Sequence, residues 1–294
     1  MIEAEYVAPS NLGELFKSIE GRAERVKFVA GCTNVLPDLR AQNPAPMLLV
    51  DLTGIEELRR IEENNGVISI GSLATMTELA ASEIIRTHGP ILASAARALG
   101  NPLTRNRATI GGNIADASPA ADTAPPLLAL EATIHTEGAS HAKREIPVEE
   151  FFIGPNQTVL NQGELITRIT FPIPKDPSAS SHIKFGLRNA MAISVVSVAV
   201  VLEMQGNLCH RARIALGSVA PKPIRAYLTE KELEGRKITE EVLESCAEVV
   251  KKEISPITDI RASAQYREHV TGVLLKRALW QAAREGENST NGNI

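Results

Sequence analysis

Cysteine is scarce in this chain, and the scarcity excludes several chemistries. Cys32, Cys209 and Cys246 are spread over 294 residues, with no C-x-x-C pair among them. A disulfide framework or a tetrahedral thiolate metal site calls for an even or clustered set, and an iron–sulfur cluster calls for a full ring of thiolates. The chain therefore holds no cluster of its own. Aromatic residues are thin as well, at 3%, and no basic run interleaves with them, which excludes a nucleic-acid surface. The longest apolar stretch, around 195–202, falls far short of the roughly 20 residues that span a bilayer. The opening M-I-E-A-E-Y is acidic and has neither the basic nor the apolar region of a secretory signal, so a cytoplasmic protein is expected. The six histidines, His88, His135, His141, His182, His210 and His269, form no H-x-x-x-H and sit beside no cysteine at ligand spacing. They read as surface or structural residues. Glu78, Glu83 and Glu131 have no evident acid–base partner, and no hydrolytic triad is visible.

What is present fits an ordinary globular protein with room for two or three packed units: 44% hydrophobic, 22% charged, net charge −4. The first unit opens with Ser10 as the expected helix N-cap. Leu12, Leu15, Phe16 and Ile19 then fall at i, i+3, i+4 and i+7, one apolar helical face. Strands are expected at 26–30 and 47–51, giving a small βαβ-type lobe. In the second unit Asn64-Asn65-Gly66 predicts a hairpin between strands at 58–61 and 67–71. Helices are expected at 90–99, with Gly100 just past the end, and at 119–130, followed by strands at 132–136 and 165–171. The Pro- and Ser-rich run 172–181 reads as a linker. Beyond it come strands at 183–187, 195–203 and 208–217, the last two joined at Gln205-Gly206-Asn207. Helices near 225–234, 239–253 and 263–285 precede a polar tail expected to be disordered. The resulting division is 1–56, 57–175, 176–286 and a tail at 287–294.

Two glycine turns stand out. A-G-C-T-N at 30–34 follows an apolar run, as a strand-to-loop anion site would. T-I-G-G-N-I-A-D-A-S-P-A-A-D at 109–122 places two residues without a Cβ before a group of short polar side chains, Asn113, Ser118 and Asp122. There is no G-x-G-x-x-G, so the single glycine-rich turn of a Rossmann dinucleotide site is absent.

In this order, these turns resemble one family, the FAD-binding medium subunit of the molybdenum hydroxylases. The resemblance runs along nearly the whole chain. It includes I-G-S-L-A-T-M-T-E-L at 70–79, R-N-R-A-T-I-G-G-N at 105–113, G-E-L-I at 163–166, A-L-G-S-V-A-P-K-P-I-R-A at 215–226 and D-I-R-A-S-A-Q-Y-R at 259–267. It implies an α+β chain: the two-lobed FAD-binding fold shared with vanillyl-alcohol oxidase and p-cresol methylhydroxylase, then a C-terminal domain of three antiparallel strands with helices. Ala30, Gly31, Cys32, Thr33, Asn34 and Val35 match the first flavin loop, and Thr109, Gly111, Gly112 and Asn113 the second. The backbone N–H groups of both loops would face the diphosphate. Leu99 belongs to the flanking wall, Ile166 matches an apolar contact, Asp122 an acidic residue on the adenosine side, and Lys184 a lysine near the isoalloxazine. Cys32 departs from the glycine common at its position, which matters if that position needs a positive φ. Asn101-Pro102-Leu103 also departs from the usual pattern.

The implied work is electron transfer. In such complexes a molybdopterin-bearing large subunit oxidises substrate, a small subunit with [2Fe–2S] clusters relays electrons, and FAD passes them to an acceptor such as NAD. A heterotrimer, or a dimer of heterotrimers, is implied. F-F-I-G-P at 151–155 and K-F-G-L-R-N-A-M-A-I-S at 184–194 look closer to bacterial xanthine dehydrogenase subunits than to the carbon monoxide enzyme. A carbon monoxide or aldehyde dehydrogenase subunit, a flavin reductase acting alone and a flavin-free assembly subunit are the other readings.

Overall fold

The computed structural model describes residues 4–35, 48–174, 178–206 and 208–291. The first lobe is a parallel sheet of β1 (Glu5–Val7), β2 (Val26–Val29) and β3 (Leu48–Asp51), in the order β1-β3-β2, with a helix at Leu12–Ile19. Leu15, Phe16 and Ile19 are buried on the expected face of that helix. Its N-cap is Asn11, not Ser10: Asn11 Oδ1 accepts from Glu14 N at 2.9 Å, while Ser10 donates its N–H and hydroxyl to Glu14 Oε2. After β2 the chain turns through Cys32, whose φ of 57° is left-handed. Glycine would take this conformation without strain; a residue with a Cβ does not.

The second lobe is antiparallel. β4 (Ile61–Asn64) and β5 (Val67–Gly71) form the predicted hairpin, with Asn65 and Gly66 at φ of 52° and 77°, the two positive values that a type I′ turn requires. The first of these strands starts later than expected because Glu56–Leu58 is a 3₁₀ turn. With β6 (Thr133–Glu137), β7 (Lys143–Pro147) and β10 (Leu165–Pro172) they make one sheet, β4-β5-β10-β6-β7. A small separate hairpin pairs β8 (Phe152–Gly154) with β9 (Gln157–Thr158). Gly100, with φ of 51°, lies just beyond the Pro90–Ala98 helix as expected. The helix expected over 119–130 is only Ala124–Ala129, since Pro125 and Pro126 are tolerated in a first turn and not in an interior one.

β11 (Ser178–Phe185), β12 (Val196–Gln205), β13 (Leu208–Gly217) and the two-residue β14 (Ile224–Arg225) form the C-terminal sheet in sequence order. The expected linker is strand at both ends: β10 runs to Pro172 and β11 begins at Ser178, while residues 175–177, like Asn207 of the following turn, lie outside the described residues. The helices Tyr227–Leu233 and Glu240–Val249 pack against this sheet and the final helix. That helix runs Ala264–Asn291, so it continues into the tail expected to be disordered. Val198, Val200 and Leu202 face the domain's own helices, whereas Ala199 and Val201 join the core of the second lobe. β12 is buried on both faces, which is why it reads as an unbroken apolar run. Cys209 and Cys246 are in the same helix-side core, their thiols pushed up by burial to about 12 and about 11. Among the described residues no helix is long and apolar enough to cross a membrane.

His182 of β11 has a buried Nε2 that bonds to no described group, and its strand packs on the Pro90–Ala98 helix. Burial, and secondarily the nearby Lys184, lower its pKa from 6.5 to about 4. Between those values the unfolded chain binds a proton that the folded one refuses. The stabilisation is therefore complete above about 6.5 and is lost as pH falls toward 4. Denaturant midpoints should fall over that window, and His182→Phe should flatten the fall; an unchanged slope would remove His182 as its source. Cys32→Gly relieves a left-handed penalty of about 1–2 kcal/mol and returns about 0.5–1 kcal/mol of chain entropy. A net gain of up to about 1.5 kcal/mol is expected in the same titration, and a loss of stability would contradict the strain.

Candidate functional site

A cavity of about 500 Å³ opens where the two lobes meet. Ala30, Gly31, Cys32, Thr33, Asn34 and Val35 line one side, and Thr109, Gly111, Gly112 and Asn113 line another. Leu99, Asp122 and Ile166 are also on its wall. Of the residues singled out in the sequence, Lys184 alone does not line it. Lys184 stands behind the wall, its Nζ 2.8 Å from Asp122 Oδ2.

The glycines allow close backbone approach, Gly31 between the lobes and Gly111 within the second. A Cβ on Gly31 would sit 1.9 Å from the carbonyl oxygen of Arg107, and one on Gly111 would sit 2.6 Å from Ser72 Cβ. Neither neighbour is the end of a flexible side chain, so only glycine lets these backbones meet. The second turn does not aim its N–H groups at the cavity as expected. It opens the Ile110–Ala115 helix, and three of its N–H groups are used within the protein: Gly111 N to Ser72 O at 2.8 Å, Gly112 N to Thr109 Oγ1 at 3.1 Å, Asn113 N to Thr109 O at 3.0 Å. Asn113 Oδ1 in turn accepts from the backbone and hydroxyl of Thr123. In the first turn, by contrast, the N–H groups of Gly31, Cys32, Thr33 and Asn34 meet no acceptor among the described residues. Asn34 Nδ2 reaches across to Asp116 Oδ2 at 3.0 Å, joining the two turns.

Cys32 is no candidate nucleophile. Burial, and then Asp51, raise its thiol pKa above the usual value, with Arg107 opposing. Asp122 is buried; desolvation raises its pKa, opposed by the Lys184 ammonium and by the Ser194 hydroxyl at 3.1 Å from Oδ1. Lys184 Nζ also donates to the carbonyl of Ala98. Asp122 and Lys184, matched in the sequence to opposite ends of a cofactor, thus meet at one point. Ser194 and Lys184 come from the C-terminal domain, as do Met191, Ala192 and Ile193 on the cavity wall.

Sequence reasoning passed over those last three residues, and also Lys27, Ser72 and Leu160. Ser72 Oγ is buried and finds no partner among the described residues, an unused polar group in a wall residue. Its place inside I-G-S-L-A-T was the available signal. No group of three or more potential metal-ligating side chains occurs among the described residues.

Comparison with known proteins identifies the family and the fold. Residues 2–174 match the model of the FAD binding domain in molybdopterin dehydrogenase, and residues 181–282 match the CO dehydrogenase flavoprotein C-terminal domain. The glyceraldehyde dehydrogenase medium chain of Sulfolobus acidocaldarius is 32% identical over 281 residues, 96% of this chain and 99% of that one. The carbon monoxide dehydrogenase medium chain of Hydrogenophaga pseudoflava is 32% identical, covering 94% and 95%. A putative xanthine dehydrogenase FAD-binding subunit of Escherichia coli is likewise 32% identical, covering 88% and 89%. Among solved structures, carbon monoxide dehydrogenase from Hydrogenophaga pseudoflava superposes with a TM-score of 0.90 at 31% identity, over 95% of this chain and 97% of that one. Two lobes enclosing one cavity, a C-terminal domain closing it, and full-length relatives of one kind lead to one assignment: the chain belongs to the FAD-binding medium-subunit family of the molybdenum hydroxylases, and is an oxidoreductase flavoprotein subunit.

Proposed function

We propose that this chain binds one FAD, without a covalent link, in the cavity between its lobes. We propose further that it passes electrons from the [2Fe–2S] clusters of a small partner subunit to NAD, in a cytoplasmic complex whose molybdopterin-bearing large subunit oxidises a purine such as xanthine. The carrying observation is one cavity lined by both glycine turns, with Asp122 on its wall and Lys184 paired to it from behind. Residues 1–56 and 57–175 serve as the two lobes of the site. Residues 176–286 complete it and offer a surface for the partners, in a heterotrimer or a dimer of heterotrimers.

The wall suits the cofactor. The unused N–H groups of Gly31 to Asn34 are donors for a diphosphate, and the unpartnered Ser72 hydroxyl is a polar contact. Leu99, Leu160 and Ile166 give apolar faces for the rings. FAD held there would take up electrons singly and release them in pairs. Lys184 and Ser194 fix the Asp122 carboxylate, and Met191, Ala192 and Ile193 shield the cavity on the C-terminal side. The purine preference rests on the likeness of 151–155 and 184–194 to xanthine dehydrogenase subunits.

Acid precipitation of the purified chain should release all yellow colour to the supernatant; colour kept in the pellet would mean a covalent flavin. Gly31→Ala should empty the site, because its Cβ would meet the Arg107 carbonyl oxygen at 1.9 Å and force the lobes apart. Normal flavin content in that variant would refute the placement. Co-expressed with its neighbouring subunits, the chain should support xanthine:NAD⁺ activity that it lacks alone. Substrate oxidation by the lone chain would overturn the electron-transfer reading, and activity of the complex on another substrate only would overturn the purine preference.

A further inference from the structure

The rim of the cavity carries a sulfur that cofactor binding does not use. Cys32 lines the cavity, but burial holds its thiol above the usual pKa, and Cys209 and Cys246 lie in the helix-side core. Cysteine reacts as the thiolate, so none of these is poised. A thioether has no proton to lose, and its oxidation follows exposure. Met76 is fully buried, and Met204 packs against the helix-side core. Met191 is 52% exposed and stands on the cavity wall. Among the described residues it is the sulfur most open to an oxidant.

Met191 also has a neighbour set to receive the product. Asn101 Nδ2 stands 3.3 Å from its Sδ. Asn101 Oδ1 accepts from Thr104 N at 2.8 Å as the N-cap of the Pro102–Arg105 helix, so the end of the amide that faces the sulfur is the NH₂. The Met191 backbone is pinned in place: its φ is 53°, and its carbonyl accepts from Arg188 Nε at 3.2 Å and Nη2 at 2.7 Å. The contact crosses the rim between domains. Asn101 belongs to the second lobe, next to the wall residue Gly100, and Met191 to the segment between β11 and β12. A thioether is a weak acceptor, whereas the oxygen of a sulfoxide is a strong one.

We infer that Met191 is a modification site: hydrogen peroxide oxidises it to the sulfoxide, and the new oxygen takes the Asn101 N–H and fastens the C-terminal segment to the second lobe beside the cavity. The thioether lone pair attacks one peroxide oxygen; an S–O bond forms, the O–O bond breaks, and the other oxygen leaves as water. Sulfur gives up an electron pair and peroxide accepts it. Dioxygen yields that peroxide by taking a hydride and a proton from reduced flavin, a source that rests on the flavin reading above. The modification itself requires only peroxide. A firmer rim slows passage of the cofactor out of the cavity.

The test begins with the flavin-stripped, full-length chain, treated with hydrogen peroxide and followed by peptide mass spectrometry. Met191 should gain one oxygen atom ahead of Met76 and Met204; equal rates at all of them would overturn the site. The FAD-loaded chain, photoreduced and then aerated, should form the same sulfoxide while an anaerobic control does not. No sulfoxide in that aerated sample would overturn the flavin as the source. Peroxide-treated chain should release FAD about threefold to tenfold more slowly than untreated chain, as one added hydrogen bond allows. Methionine sulfoxide reductase should restore the original rate. Asn101→Asp keeps an oxygen for the helix cap and removes the N–H donor, so its Met191 should still oxidise without slowing release. Equal slowing in Asn101→Asp, or any slowing by peroxide in Met191→Leu, would overturn the fastening. Failure of the chain to bind FAD would sink the flavin reading, and the peroxide experiment on the stripped chain would still decide the site.

Discussion

The ion pair between Asp122 and Lys184 is the contact on which the arrangement of the molecule turns. Both side chains are about 10% exposed, so neither charge has water to fall back on. Buried charges are tolerated when they meet a partner with good geometry, and removing one partner typically costs about 3–5 kcal/mol. Here the carboxylate belongs to the turn before the Ala124–Ala129 helix and the ammonium to the first strand of the C-terminal domain. Separating the two domains would strand a charge on each. The C-terminal domain is therefore part of the site: its Ser194 bonds the other carboxylate oxygen, and residues 191–193 form wall. Glu131 adds a second tie, receiving Arg211 at 2.6 Å and Arg213 at 3.1 Å from β13.

Much of this was legible in the sequence, for physical reasons that differ from place to place. The glycine turns could be read because a backbone that must touch another backbone admits no side chain, and that requirement shows as a residue type. The hairpin at Asn65-Gly66 could be read because two successive positive φ angles leave few residues to choose from. What could not be read was partnership. Gly111, Gly112 and Asn113 look the same in sequence whether their N–H groups point at a ligand or close a helix cap, and they do the latter. Asp122 and Lys184 are 62 residues apart, and no local pattern joins them. Ser10 and Asn11 are both good caps, and the choice fell on Asn11 because Glu14 engages Ser10.

The state of the three thiols bears on how such a subunit survives its own chemistry. A flavin that handles electrons in air generates oxidants close at hand, and cysteine reacts with them as the thiolate. Cys209 and Cys246 lie within an apolar core and hold their protons far above neutral pH; Cys32, closest to the cavity, is shifted in the same direction. No described cysteine offers a ready thiolate, so the described chain presents little cysteine for stray peroxide to attack. In a protein that conducts electrons, that inertness works as insulation.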